Sequence, residues 1–390
     1  MLRWRTALLL AATLAVTLGG MLTLGCGGSS SGSGSGTGTM TVHLVDGPIS
    51  GYQEINVNLQ TVEIAGNGGW ITLGTPHKTL NLLSLVGGVD ETLAAGATLP
   101  AGHYGQMRLI LGAGNTVKLA DGTVHDLTVP SGLQTGIKLI VNFDVAAGTT
   151  KDVWIDFDAA HSIQVVQAGM SGQYLLRPTV RACDRLVTGS IHGTLTDAAT
   201  SVALPGVLVH AETLDGSGHA VLARSTVTDA AGAYTLDLLP VGATYFVVSQ
   251  PVTGAAPTLK AYDAKASDGL ALTAMTPVFT YSAAFTANAA LGGVAGGLTP
   301  VATSNQSDRV DLLQSLTTPS GSHSFIVQTT MATVGTAAET YGFTTVPAGA
   351  YSVQGLRFTA NADGTTTQST SAVQTVTVAS GATVTVNLGL

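Results

Sequence analysis

Leu99-Pro100-Ala101-Gly102-His103-Tyr104, Leu239-Pro240-Val241-Gly242-Ala243-Thr244-Tyr245 and Val346-Pro347-Ala348-Gly349-Ala350-Tyr351 are three copies of one short pattern. Proline presets one turn angle and glycine permits a positive one, so each copy reads as a tight turn between strands. The tyrosine then enters the next strand, with a ring that can pack and a hydroxyl that can tie back to backbone. Outward from these turns the chain alternates apolar and polar residues. Met40-Thr41-Val42-His43-Leu44, Ile55-Asn56-Val57-Asn58-Leu59 and Val373-Gln374-Thr375-Val376-Thr377-Val378 are examples. Short β-branched runs bounded by Gly, Asp or Pro are strands. The only helical expectation is one turn within Thr79 to Leu85.

Composition agrees. Charged residues are 10% of the 390, against about 25% in a typical soluble protein. Helical bundles need charged solvent faces, whereas small and hydroxyl side chains suit sheet surfaces. Hydrophobic residues, at 45%, suffice for a core in each of several domains. The net charge is −8 and the few cations are not clustered. A nucleic-acid partner needs a basic footprint, so that class is excluded.

A second repeat sets the domain boundaries. Gly189-Ser190-Ile191-His192-Gly193-Thr194-Leu195 matches Gly292-Gly293-Val294-Ala295-Gly296-Gly297-Leu298, and Phe285-Thr286-Ala287-Asn288 matches Thr385-Val386-Asn387-Leu388. The expected fold is all-β, a tandem array of Greek-key β-sandwich domains. The expected division is a leader at 1–25, a Gly/Ser linker at 26–39, and modules at 40–184, 185–290 and 291–390.

Met1 to Arg5 is basic, Ala7 to Leu24 is apolar, and Leu22-Thr23-Leu24-Gly25-Cys26 runs into Gly27-Gly28-Ser29-Ser30-Ser31. This is a secretory leader in outline, and it resembles a bacterial lipoprotein signal. Thr23 departs from the leucine common in that family. The resemblance implies cleavage before Cys26 and diacylglycerol on its thiol. It also implies anchoring in the cell outer membrane, because Gly27 stands where Asp would retain the protein at the inner one. An uncleaved membrane helix is the competing reading. Of the two cysteines, Cys183 alone remains in the body. With Asp184 beside it and no cation to lower its pKa, it reads as a small hydrophobe rather than a nucleophile.

Two further resemblances divide the body. Leu44-Val45-Asp46-Gly47-Pro48, Leu99-Pro100-Ala101-Gly102 with Tyr104, Gln106 and Arg108, Leu127-Thr128-Val129-Pro130-Ser131-Gly132, Ile155-Asp156-Phe157-Asp158-Ala159 and Tyr174-Leu175-Leu176-Arg177-Pro178 carry the first. Module one resembles a lipoprotein-associated family catalogued as domain of unknown function 4382, which implies location and modular company but no activity. Gly189, Ile191, Gly193 and Leu195, then Leu204-Pro205-Gly206-Val207, then Thr228-Asp229-Ala230-Ala231-Gly232-Ala233-Tyr234, carry the second. Module two resembles the carboxypeptidase regulatory-like domain, a transthyretin-like sandwich in which Asp229 would be a turn residue. Module three resembles it with divergence.

Candidate chemistry is sparse. Asp156 and Asp158 lie two apart on a strand and so share a face, with His161 nearby. They read either as structural ion-pair partners of Arg108 or Lys138, the favoured reading, or as a hard-cation site that would take Ca2+. No other cofactor is implied. Trp70, after the turn Gly66-Asn67-Gly68-Gly69, is the candidate ligand-binding aromatic, with core packing as its alternative. For Trp154, core packing is favoured. Gly28-Ser29-Ser30-Ser31-Gly32 fits a hydrolase pattern by letters alone, without strand or helix around it.

The expected function is therefore non-enzymatic. It is a lipid-anchored envelope protein that binds polysaccharide or a partner protein and meets the membrane through its anchor. Glycan leads by fold analogy. A structural spacer or assembly scaffold is the alternative, and a hydrolase built from module-one loops is the third.

Overall fold

The computed structural model describes residues 36–390 except 48–51, 67, 87–88, 120, 130–134, 158–164, 169–172, 177–180, 185–187, 255–258, 304, 336–337 and 361–365. Cys26 and the leader lie outside the described residues. Among the described residues the fold is all-β. The one helical piece is a 3-10 turn, Leu82–Ser84, where Asn81 Oδ1 accepts from the Leu83 N–H. No described helix is long and apolar enough to cross a membrane.

The strands pair within three stretches of sequence. In the first, one sheet runs in the order Arg181–Asp184, Thr150–Asp156, Thr37–Val45, Glu91–Pro100, with Thr150–Asp156 parallel to Thr37–Val45. A larger, nine-stranded sheet centres on Tyr52–Gly66, which is flanked by Gly102–Leu111 and then by Ile137–Val145 at the edge. Met40, Val42 and Leu44 from the first sheet face Ile55, Val57, Leu59, Val62 and Ile64 from the second in one core. The inward set slips phase between Leu59 and Val62. A register shift between Leu59 and Thr61 absorbs the slip, so a bulge keeps both halves of the long strand facing inward.

The second and third stretches repeat one architecture. Thr188–Asp197 pairs antiparallel with Ala233–Pro240 and parallel with Val278–Thr280 and Ala283–Phe285. Leu291–Thr299 pairs antiparallel with Glu339–Pro347 and parallel with Thr383–Thr385 and Leu388–Gly389. The glycines shared by the two copies have a steric cause. A Cβ on Gly193 would run into the Tyr281 carbonyl oxygen, and one on Gly296 into that of Val386. The tyrosine across each strand donates its hydroxyl to that same carbonyl, Tyr234 to Tyr281 O at 2.6 Å and Tyr341 to Val386 O at 2.7 Å.

The tyrosines that follow the Pro-x-Gly turns behave alike in all three stretches, although of the three turn glycines Gly242 alone takes the expected positive φ. Tyr104 Oη donates to Pro100 O at 2.7 Å, Tyr245 Oη to Pro240 O at 2.8 Å and Tyr351 Oη to Pro347 O at 3.0 Å. All three rings are buried. This is the tie-back of a tyrosine corner. Asp229 holds its turn by accepting from the N–H groups of Ala231 and Ala233.

The modules are packed against one another. Asp156 pairs with Arg224, and Val45 and Trp154 cluster with Leu238. Phe246 and Val248 belong to one apolar cluster with Val310, Leu312, Phe325 and Tyr351. Leu222 packs on Leu313 and Ile326. Gln328 Nε2 donates to Gln250 Oε1 at 2.8 Å, and Gln250 Nε2 donates to Tyr351 Oη at 3.1 Å.

Candidate functional site

The nine-stranded sheet turns one face to the core and the other outward. Residues directly opposite on neighbouring strands share a face. Trp70 lies opposite Ala65, Thr72 opposite Glu63, Glu63 opposite Arg108 and Arg108 opposite Lys138. One polar row therefore crosses four strands on the outward face, with Trp70 beside it. The sequence puts these residues out because Ile64, Met107, Leu109 and Leu139, their immediate neighbours, are buried.

Arg108 is the best-held member. Its Nε donates to Glu63 Oε2 at 2.5 Å, and its guanidinium carbon sits 4.1 Å from the centroid of the Trp70 ring. A charge-assisted bond on one edge and an aromatic face beneath fix the plane of the guanidinium. Lys138 is exposed and has no ion-pair partner among the described residues. Ile140, two residues along the same face, is 79% exposed.

A row of amides continues the face. Asn56 Nδ2 donates to Glu54 Oε2 at 3.0 Å, Gln60 Nε2 to Asn58 Oδ1 at 2.5 Å, and His77 Nδ1 hydrogen-bonds Gln60 Oε1 at 2.7 Å. The Asn56 amide, with Lys118 second, holds the Glu54 carboxyl below its ordinary pKa. Such a surface offers donors and acceptors already oriented by their neighbours.

Of the residues singled out from sequence, Trp70 lies on this face, half-buried, with Arg108 over its ring. Asp156 lies elsewhere. It is buried on the outer face of the four-stranded sheet, where Arg224 of module two pairs with it. This corrects the expectation of Arg108 or Lys138 as its partner. Arg108 is on the other sheet and is engaged by Glu63, its cross-strand neighbour. Asp158 and His161 lie outside the described residues. Among the described residues no group of three His, Cys, Asp or Glu side chains is placed to hold a metal ion. Trp154 is buried and stacks on His43 with centroids 4.3 Å apart and planes 10° apart. His43 Nδ1 in turn hydrogen-bonds Asp90 Oδ2 at 2.6 Å.

Sequence reasoning passed over the buried charges of modules two and three. Glu212 is fully buried, with Oε2 accepting from the Ile326 N–H at 3.0 Å. Burial raises its pKa well above the ordinary value. Asp308 and Arg357 form a two-bond pair at 2.8 and 2.5 Å, with Glu339 Oε2 3.5 Å from Arg357. Burial, followed by the nearby Asp308 charge, pushes the Glu339 carboxyl up to about 7 against the opposing Ala302 N–H and Arg357. Glu212 is out of phase with the core residues Val209 and Ala211 of its strand. Glu339 and Asp308 instead share the inward phase of Tyr341 and Phe343 and of Val310 and Leu312, so alternation places them in the core without showing which charges meet there.

The molecule is thus an all-β chain of tandem sandwich modules with a polar outward face on the first. Residues 37–178 match the family described as Domain of unknown function (DUF4382). No curated protein matches the chain. Among solved structures, the Bacillus anthracis TIE protein is 12% identical with a TM-score of 0.20, over 91% of this chain and 50% of that one. This chain thus spans about half the length of that protein. A streptococcal ancillary pilin is 10% identical with a TM-score of 0.20, over 90% of this chain and 98% of that one. A putative adhesin from Bacteroides ovatus is 11% identical with a TM-score of 0.19, over 52% of this chain and 92% of that one.

Proposed function

We propose that this chain is a non-enzymatic, lipid-anchored envelope protein that binds a polysaccharide or partner protein through the outward face of module one. The observation that carries the reading is Arg108, held between Glu63 and the Trp70 ring beside a row of oriented amides. Binding sites favour groups whose orientation is fixed before the ligand arrives. Modules two and three are read as carboxypeptidase regulatory-like sandwiches, a reading supported by their common ladder order and their shared Gly–Tyr contacts. Lipidation at Cys26 in an outer membrane is read from the leader. Two acyl signals hold a protein stably where one holds it marginally.

Two measurements test this. Cells fed labelled palmitate should label the wild-type chain and leave Cys26→Ala unlabelled; equal labelling of both refutes the anchor. The full-length chain in detergent, applied to a panel of neutral and acidic polysaccharides, should bind saturably to at least one, with affinity lowered by Trp70→Ala at unchanged melting temperature. The spacer reading is favoured by one observation, the buried contacts at both joints. A blank panel would turn the account to it.

A further inference from the structure

We propose that the outward face of module one takes a carboxylated sugar, the uronate unit of an acidic polysaccharide, with Arg108 and Lys138 receiving the carboxylate. The inference rests on the binding reading above and narrows it to a ligand class.

Arg108 and Lys138 are directly opposed on neighbouring antiparallel strands. Like charges so placed repel. The chain has 15 Lys and Arg in 390 residues and is net acidic, so two cations side by side on one face stand out. Glu63 relieves part of the repulsion by accepting from Arg108 Nε. Lys138 has no such relief among the described residues. Among the described residues its ammonium is an uncompensated positive charge next to a guanidinium whose plane Trp70 already fixes.

That arrangement has the parts of a carboxylate receptor. Nε of Arg108 is committed to Glu63, so the terminal guanidinium nitrogens are the donors left to point away from it. A carboxylate bridging those nitrogens and the Lys138 ammonium would make charge-assisted bonds to both and remove the repulsion between them. Ile140, 79% exposed and two residues from Lys138, offers apolar surface for the C–H face of a pyranose ring. The oriented amides of Asn56, Asn58 and Gln60 lie on the same sheet face and suit hydroxyls of neighbouring units in a polymer. A sugar polymer therefore fits this face better than an isolated anion, which would use the cations and leave the amides idle.

The test uses the full-length chain in detergent, polygalacturonate and alginate, and the same two polymers after reduction of their carboxyls to alcohols. The expected result is saturable binding to the acidic forms and at least tenfold weaker binding to the reduced forms. Binding should weaken as salt rises from 50 to 500 mM, because exposed charge pairs are screened. Lys138→Glu should weaken acidic-polymer binding about tenfold at low salt. Its site is exposed, and an unchanged melting temperature checks that the variant folds. Arg108→Lys, which keeps the charge and loses the planar fork, should also weaken binding. Equal binding to native and reduced polymers, or no effect of Lys138→Glu, overturns the carboxylate assignment and leaves a glycan-binding module standing. Binding to neither form, together with a blank neutral panel, overturns the glycan reading as well.

Discussion

At the scale of single residues, the side chains that matter are those whose neighbours decide their chemistry. Tyr104, Tyr245 and Tyr351 were legible in sequence because the whole device is local: proline, glycine and tyrosine lie within six residues, and the hydroxyl returns to the proline carbonyl. Glu339 was not legible. Its environment comes from Asp308 and Arg357, both distant in sequence. The consequence is a pH dependence of stability. The folded-state carboxyl is raised to about 7 from an ordinary value near 4.5, so the folded chain binds more protons than the unfolded chain between those values. Its contribution to stability is complete below the unfolded pKa and is lost as pH rises through the folded one. Thermal melting should therefore fall between pH 5 and pH 8. Glu339→Gln should flatten that part of the profile and be relatively more stable at pH 8. A wild-type profile that rises over the same interval would show that Glu339 does not act this way.

At the scale of elements, the repeated glycine strands explain why modules two and three fold alike. Gly193 and Gly296 let a strand approach the carbonyls of Tyr281 and Val386, and Tyr234 and Tyr341 close the contact. Gly193→Ala puts a methyl group against backbone that cannot move without breaking the parallel ladder. The expected loss is about 3 kcal/mol, read by denaturant unfolding. Substituting Gly216, which has open space around it, should change little. Strand positions were readable from alternation, but the bulge in Tyr52–Gly66 shows the limit of that signal. The apolar phase slips between Leu59 and Val62, and only the partner strand fixes where the extra residue goes. The outward row from Trp70 to Lys138 was hidden for the same reason. Four strands supply it, and sequence spacing says nothing of which strands are neighbours.

At the scale of the whole molecule, strands pair within three stretches of the chain, and the docking of those stretches was not readable in the sequence. Asp156 and Arg224 are 68 residues apart and meet only because module two covers the outer face of the four-stranded sheet. Removing one partner of a buried pair takes away part of the compensation of the other charge. Asp156→Ala should cost about 3–5 kcal/mol, and Asp156→Ala with Arg224→Ala should cost less than the sum of the two single changes. Additivity within about 0.5 kcal/mol would mean that the pair does not couple the modules.

The most direct test of the central claim is hydroxyl-radical footprinting of the full-length chain with and without the polysaccharide it binds most tightly. The account predicts protection of Trp70 and Ile140 on the face of module one, with Met275, 93% exposed in module two, oxidised at the same rate in both samples. Protection of Met275 with Trp70 and Ile140 unchanged would place the binding surface elsewhere and contradict the account.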